Sequence, residues 1–413
     1  MRPGRLRWAA VRLGPAFDLL ANYEPGGFFF ERGGMGVSGT GTATAIEGPH
    51  PVLSEAATAA SDLLSHVRPA EDGPAAVAVG AFPFAGGAGR LALPSRTVVR
   101  SWPGRTWRLD VWREGLAPAD HHRERWVGRA VPHDAFSQIQ LRPDPEPRDY
   151  ADAVAAATER IRGGALRKVV LARSLLVDAE RRLEPKQLLW RLRAVDPDCY
   201  AFAVPTQDGA TLVGATPELL VEKWGREVHA DPLAGSSPRF GDPEDDRGSA
   251  ERLVGSDKDR EEHAVVVEAV AHALGPLCRE LHHPREPELL GTANVWHLST
   301  PFTGRLLDEV GSVLELVAAL HPTPAVCGTP REEARRTLAE LEPLDRGLYA
   351  GPVGWVDGHG DGQWAIALRC AEIGDQTARL FAGAGIVARS VPEIELDETE
   401  RKFRALLDAL RWG

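Results

Sequence analysis

Hydrophobic and polar positions change rhythm along the chain, and each rhythm predicts an element. Ala75-Ala-Val-Ala-Val-Gly-Ala-Phe82 is an apolar run closed by Pro83, a buried strand, and Thr106-Trp-Arg-Leu-Asp-Val-Trp112 alternates like a half-buried one. Gly34-Met-Gly-Val-Ser-Gly39 fits G-x-G-x-x-G, but the β-prone Thr40-Gly-Thr-Ala-Thr-Ala45 follows where a dinucleotide site needs a helix, so a hairpin is expected and a nucleotide cofactor is not. Tyr150 to Arg162 puts Val154, Ala157 and Ile161 on one helical face and stops at Gly163-Gly164. Lys168-Val-Val-Leu-Ala172 reads as a strand, as do Thr211-Leu-Val213 and Leu219-Leu-Val-Glu222. Glu261 to Leu281 carries Val266, Val270, Leu274, Leu277 and Leu281 at helical spacing, and Leu396 to Leu410, with Phe403, Leu407 and Leu410 inward, predicts a last helix.

Two stretches break these rhythms. Residues 141–149 hold three prolines and predict a linker between a first part of strands, turns and a few helices (residues 1–140) and a catalytic region (residues 145–412). Arg239 to Glu262 is charged, contains Gly and Pro, and has little apolar content, so an exposed mobile loop is expected. No repeat of 20–50 residues is present.

Composition narrows the classes. The chain has 413 residues, 43% hydrophobic and 26% charged, enough for a large core in one domain or two. Lys plus Arg total 48 against 59 Asp plus Glu, a net charge of −11 with no basic run, which argues against a nucleic-acid partner. An anionic substrate would need local cations, or a metal, against that field. Cys199, Cys278, Cys327 and Cys370 stand far apart, which speaks against a zinc site and for reduced thiols. Met1-Arg-Pro-Gly-Arg-Leu-Arg-Trp8 leads into no long apolar run, and no stretch reaches transmembrane length, so a cytoplasmic protein with no membrane partner is expected.

Candidate chemistry is spread from Lys168 to Lys402, and each residue has a plainer reading. Lys168, taken locally, is best read as an edge-strand lysine reaching water, although an amine held in a drier pocket can act as a base. Glu218, after Gly214-Ala-Thr-Pro217, fits a solvated turn. Glu262 and Glu398 lie early in helices, where acids favour the dipole, and Glu398 with Lys402 makes an ordinary i,i+4 pair. His297 fits a core histidine. Tyr349 and Arg369 lie on strand-like segments and fit structural roles, while Gly383 and Gly385 fit either tight packing or a close approach of backbone N–H groups to a carboxylate.

Taken together, Arg167-Lys-Val-Val-Leu-Ala-Arg173, Leu233-Ala-Gly-Ser236, Gly383-Ala-Gly-Ile-Val387 and Glu398-Thr-Glu-Arg-Lys402 form an ordered series over more than two hundred residues. The series resembles the chorismate-utilising enzymes that share the fold of anthranilate synthase component I, most of all the isochorismate synthases. It covers residues 145–412 strongly and the first 140 loosely, chiefly at Gly80-Ala-Phe-Pro-Phe84. The resemblance implies an α+β fold, with two large, mostly antiparallel sheets forming one core, helices packed outside, and one structural domain overall.

The resemblance also implies roles. Lys168 is the base and Glu218 the general acid. Glu262 and Glu398 hold Mg²⁺. His297 faces the substrate. Tyr349, Arg369 and the turn at Gly383 and Gly385 take the enolpyruvyl carboxylate. Gly235, Ser236, Ala325 and Lys402 complete the substrate-binding set. Trp296 stands where Gln is common, and Ser237 where Arg is frequent. The implied activity is an isomerase that turns chorismate into isochorismate, on the way to menaquinone, catechol siderophores or salicylate-derived products. The alternative is salicylate synthase, which goes on to eliminate pyruvate; a relative that only binds chorismate is a further class. Lys168 argues against the ammonia-adding relatives, so no glutaminase subunit is expected, and a monomer is.

Overall fold

The structure, a computed structural model, describes residues 6–14, 17–49, 53–65, 67, 74–85, 88–101, 104–115 and 139–411. Phe28, Phe29 and Phe30 show how its layers are arranged. Phe28 and Phe30 enter one core and Phe29 another, because successive side chains on a strand leave opposite faces. Their strand, Phe28–Arg32, belongs to a twelve-stranded sheet. Beside it run Tyr200–Pro205, Thr211–Thr216, Cys370–Ile373, Thr377–Ile386 and Lys168–Ala179 in spatial order. A nine-stranded sheet has Glu227–Asp231, Leu219–Trp224, Gly362–Ile366, Pro352–Asp357 and Val77–Ala81 across its middle. Every pairing among the described strands is antiparallel.

The first core lies between the two sheets and contains Phe30, Leu171, Val353 and Trp364. The second covers the other face of the larger sheet, where Phe29, Val177 and Val213 meet Leu189 of helix Pro185–Val195 and Phe403 of helix Pro392–Arg411. The expected α+β arrangement of two large antiparallel sheets with helices outside is therefore what the chain adopts. A third, three-stranded sheet of Leu233–Pro238, Val295–Ser299 and Glu288–Gly291 was not anticipated. The first part of the chain is woven into both large sheets: Phe28–Arg32 pairs with Tyr200–Pro205, and Val77–Ala81 with Pro352–Asp357.

The hairpin at Gly33-Gly34 forms as expected, with Met35–Thr40 as its second strand. Other expectations need correction. The proline-rich segment is not a linker. Ile139–Asp144 pairs with the end of Lys168–Ala179 as an edge strand, where Pro143 is tolerated, and Pro147 opens helix Pro147–Arg162 in the first turn, where its missing N–H costs nothing. The charged segment is not a loop. Asp242 caps helix Pro243–Val254 by accepting from the Glu244 and Asp245 amides (2.9 and 3.1 Å), and helix Asp257–Leu274 follows. That helix ends seven residues before Leu281, because Pro276 cannot continue it, and Cys278–His282 is a strand. Residues 1–5, part of the N-terminal stretch Met1 to Trp8, lie outside the described residues. No described helix is long and apolar enough to cross a membrane.

Candidate active site

The predicted site residues meet in one place. All of them except Lys168 line a single cavity where the two large sheets meet the small one. A larger opening of about 780 Å³, bordered by Phe28, Arg90, Val204 and Arg379, contains none of them.

Lys168 lies just behind the cavity wall. It is not an edge-strand lysine: its strand has Thr377–Ile386 on one side and Gly328–Thr329 on the other, and its side chain is 0% exposed. Its Nζ sits 2.9 Å from Glu262 Oε1. Gly385 makes that contact possible, since a Cβ there would lie 2.1 Å from the same oxygen and 3.1 Å from Lys168 Cε. A Cβ on Gly383 would lie 3.1 Å from the Tyr349 hydroxyl. Within the protein, these two glycines thus admit a glutamate and a phenol.

Glu218 is buried rather than solvated. It follows strand Thr211–Thr216, and the Thr216 hydroxyl accepts from its amide at 3.3 Å. Burial pushes its carboxyl up to about 8, against the opposing pull of Lys168 and Lys402. Across the cavity, Glu398 behaves oppositely. Burial works to raise it, but Lys402 at 2.7 Å, Lys258 and the Ser236 hydroxyl outweigh that and hold it below the ordinary range. Lys402 also donates to the Gly383 carbonyl at 2.8 Å.

Neither Glu262 nor Glu398 sits in the first turn of its helix, so the helix dipole does not explain them. They stand among further acids. Burial raises Asp259 and Glu395, and in both the charge of Glu398 adds to the rise. Lys258 pairs with Glu395 at 2.6 Å. Among the described residues no three His, Cys, Asp or Glu side chains form a closed metal cage. A buried carboxylate and a half-buried one, each balanced by a lysine, still fit a hard cation that keeps water and substrate oxygens in its shell.

Arg369 links the two large sheets, between Gly362–Ile366 and Cys370–Ile373, with a left-handed φ of +47° that a side chain seldom adopts. It donates to the Thr292 hydroxyl at 2.9 Å and to His297 Nε2. Burial, then Arg369 and Lys402, holds the His297 ring well below its ordinary range, so it is neutral. Because Arg369 can only donate, Nε2 accepts and the proton sits on Nδ1, which faces the Gly235 carbonyl at 3.2 Å. Both ring nitrogens are engaged by protein. Tyr349 is buried and stacks on Phe381 with centroids 4.9 Å apart.

Sequence reasoning missed Arg346. It is buried, lines the cavity, and pairs with Glu342 through contacts of 2.6 and 2.7 Å. It donates to the Val170 and Val326 carbonyls at 2.7 and 2.8 Å, and Glu342 accepts from the Ala172 amide at 2.8 Å. The pair therefore ties the Lys168 strand to the segment carrying Ala325. Its i,i+4 spacing was the available signal. Trp296 gains an account too: its indole donates to Asp246 at 3.0 Å, and Arg239 lies 4.3 Å over its ring. Ser237 bonds Ser249 of helix Pro243–Val254 at 2.7 Å.

Comparison with known proteins gives the family. The model of a family described as chorismate binding enzyme matches residues 119–411. The chain belongs to that family. Isochorismate synthase DhbC of Bacillus subtilis (strain 168) is 39% identical to it over 405 residues, 96% of each chain. The crystal structure of DhbC from Bacillus anthracis superimposes with a TM-score of 0.83 at 38% identity, covering 96% of this chain and 99% of that one. MenF, the menaquinone-specific isochorismate synthase of Escherichia coli, gives 0.85 at 24% identity over 98% and 95%, a likeness of fold. This chorismate binding enzyme thus has the fold that its motifs implied, with those motifs gathered around one cavity.

Proposed function

We propose that this enzyme is a Mg²⁺-dependent isochorismate synthase. The observation that carries the reading is Glu218: a buried carboxyl that keeps its proton to about 8, on the same cavity as Glu262 and Glu398 and with Lys168 behind the wall. Paired groups whose surroundings push them toward opposite proton tasks are what acid–base chemistry at neutral pH needs.

In this reading water attacks ring carbon C2, Lys168 takes the proton that the water loses, the double bonds shift, and Glu218 gives its proton to the departing C4 hydroxyl. One water is added and one leaves, so the product is an isomer. Lys168 can accept that proton only once Glu262 no longer holds its amine as an ion pair. Glu262 and Glu398 would hold Mg²⁺, which when bound supplies positive charge for the ring carboxylate. Arg369 and Tyr349 take the enolpyruvyl carboxylate, the planar guanidinium matching it in two bonds.

The test is chromatography of purified protein incubated with chorismate. Isochorismate should appear with Mg²⁺ and not in excess EDTA. Glu262→Ala and Glu398→Ala should each be inactive at any Mg²⁺ concentration, because one carboxylate cannot fix a strongly hydrated ion. Full turnover in EDTA would remove the metal, and no conversion of chorismate would remove the function.

The product should also stop at isochorismate. Ala325 borders the cavity and offers only a methyl, with no hydroxyl to organise loss of pyruvate. A lactate-dehydrogenase-coupled assay should find little pyruvate and chromatography an equilibrium of chorismate and isochorismate. Stoichiometric pyruvate with salicylate would make the enzyme a salicylate synthase instead.

A further inference from the structure

Arg369 does not reach its position alone. Its guanidinium has five N–H groups, and Thr292 and His297 engage two of its nitrogens, Nη1 and Nη2. Thr292 does not line the cavity. It stands at the turn between Glu288–Gly291 and Val295–Ser299, buried, and its bonds are directional. Its hydroxyl donates to the Val295 carbonyl at 3.1 Å, so the hydroxyl proton is committed there. The oxygen lone pairs then accept from the Val295 amide at 3.2 Å and from Arg369 at 2.9 Å. The carbonyl of Thr292 is held separately, by Arg239 at 3.2 Å, and Arg239 is fixed in turn by Asp246 at 2.9 Å and by the Trp296 ring.

We infer that Thr292 is a positioning residue for this reaction: its hydroxyl and His297 Nε2 together set the plane of the Arg369 guanidinium, leaving the other N–H groups for the enolpyruvyl carboxylate. The inference rests on the reading of Arg369 given above. A guanidinium binds a carboxylate with two parallel bonds only when its plane is set, and Arg369 carries a strained backbone that by itself fixes only where the side chain begins. Thr292 supplies an oxygen whose acceptor side is forced toward Arg369. Valine has the same shape without that oxygen, and serine keeps the oxygen without the methyl.

The test compares two ligands. One is chorismate. The other is a dihydroxycyclohexadiene carboxylate, which keeps the ring and its carboxylate but lacks the enolpyruvyl group, used as a competitive inhibitor. Thr292→Val should raise KM for chorismate about tenfold or more, the effect of losing a partly buried hydrogen bond to a charged group, with kcat within about threefold. The Ki of the analogue should not move. Thr292→Ser should return KM toward the parent value. If Thr292→Val raises KM and Ki together, or moves neither, Thr292 is only structural and the proposal is overturned. Arg369→Gln separates the two levels. If it raises KM for chorismate while sparing the analogue, the Arg369 reading stands whatever Thr292→Val shows. If it leaves the ratio of KM to Ki unchanged, that reading falls and the role of Thr292 falls with it. Should Thr292→Val not fold, Thr292→Ala takes its place with the same two readouts.

Discussion

Glu218→Gln should lower kcat for isochorismate formation by about 10²–10⁴-fold, the range a positioned general acid contributes. At pH 7 the parent carboxyl still carries the proton that the leaving hydroxyl needs, because burial holds it at about 8. The parent kcat/KM should accordingly fall as pH rises through about 8, and that alkaline limb should vanish from the residual rate of the variant. Stability should fall with rising pH as well. The unfolded chain ionises this carboxyl near 4.5 while the fold keeps it protonated to about 8, so rising pH removes stability across that window. An amide does not ionise and escapes the loss. A thermal scan at pH 8 should find Glu218→Gln at least as stable as the parent, which excludes unfolding as the cause of its inactivity. A folded variant that keeps more than about a tenth of the parent kcat would remove Glu218 as the acid.

The site was more legible in the sequence than the physics that supports it. The motif residues other than Lys168 line one cavity, although nothing between Gly235 and Gly385 brings them together locally. What stayed hidden was pairing across strands. The Lys168 strand was recognised, but its 0% exposure depends on Thr377–Ile386 lying beside it, and Gly385 lies opposite Val170 only in that register. Thr292 gave no signal, because its value lies in a contact with Arg369 across 77 positions of sequence.

The fold failed to show where local chemistry was misjudged. Asp242-Pro243-Glu244-Asp245 is an N-cap, a first-turn proline and two first-turn acids, yet the scarcity of apolar residues after it predicted a loop. The helix buries only Ser249, Ala250 and Leu253, a stripe too thin for periodicity to reveal. Three prolines between 141 and 149 predicted a break, but each falls where a strand edge, a connection or a first helical turn tolerates it.

Lys168→Ala should also cost about 10²–10⁴ in turnover, as the loss of a positioned base does, but its cause needs separating. The residue is fully buried, and its partner Glu262 has a side chain only 11% exposed. Removing one member of a buried ion pair strands the other charge at a cost of about 3–5 kcal/mol, so Lys168→Ala should also melt well below the parent. Lys168→Arg divides the two roles. Arginine keeps a positive charge for Glu262 and cannot release its proton at any working pH. Its thermal midpoint should lie closer to the parent than that of Lys168→Ala, while its turnover should be as low. If Lys168→Arg instead converted chorismate at the parent rate, then charge beside Glu262 would be all that Lys168 supplies, and the base that activates water would have to be another group.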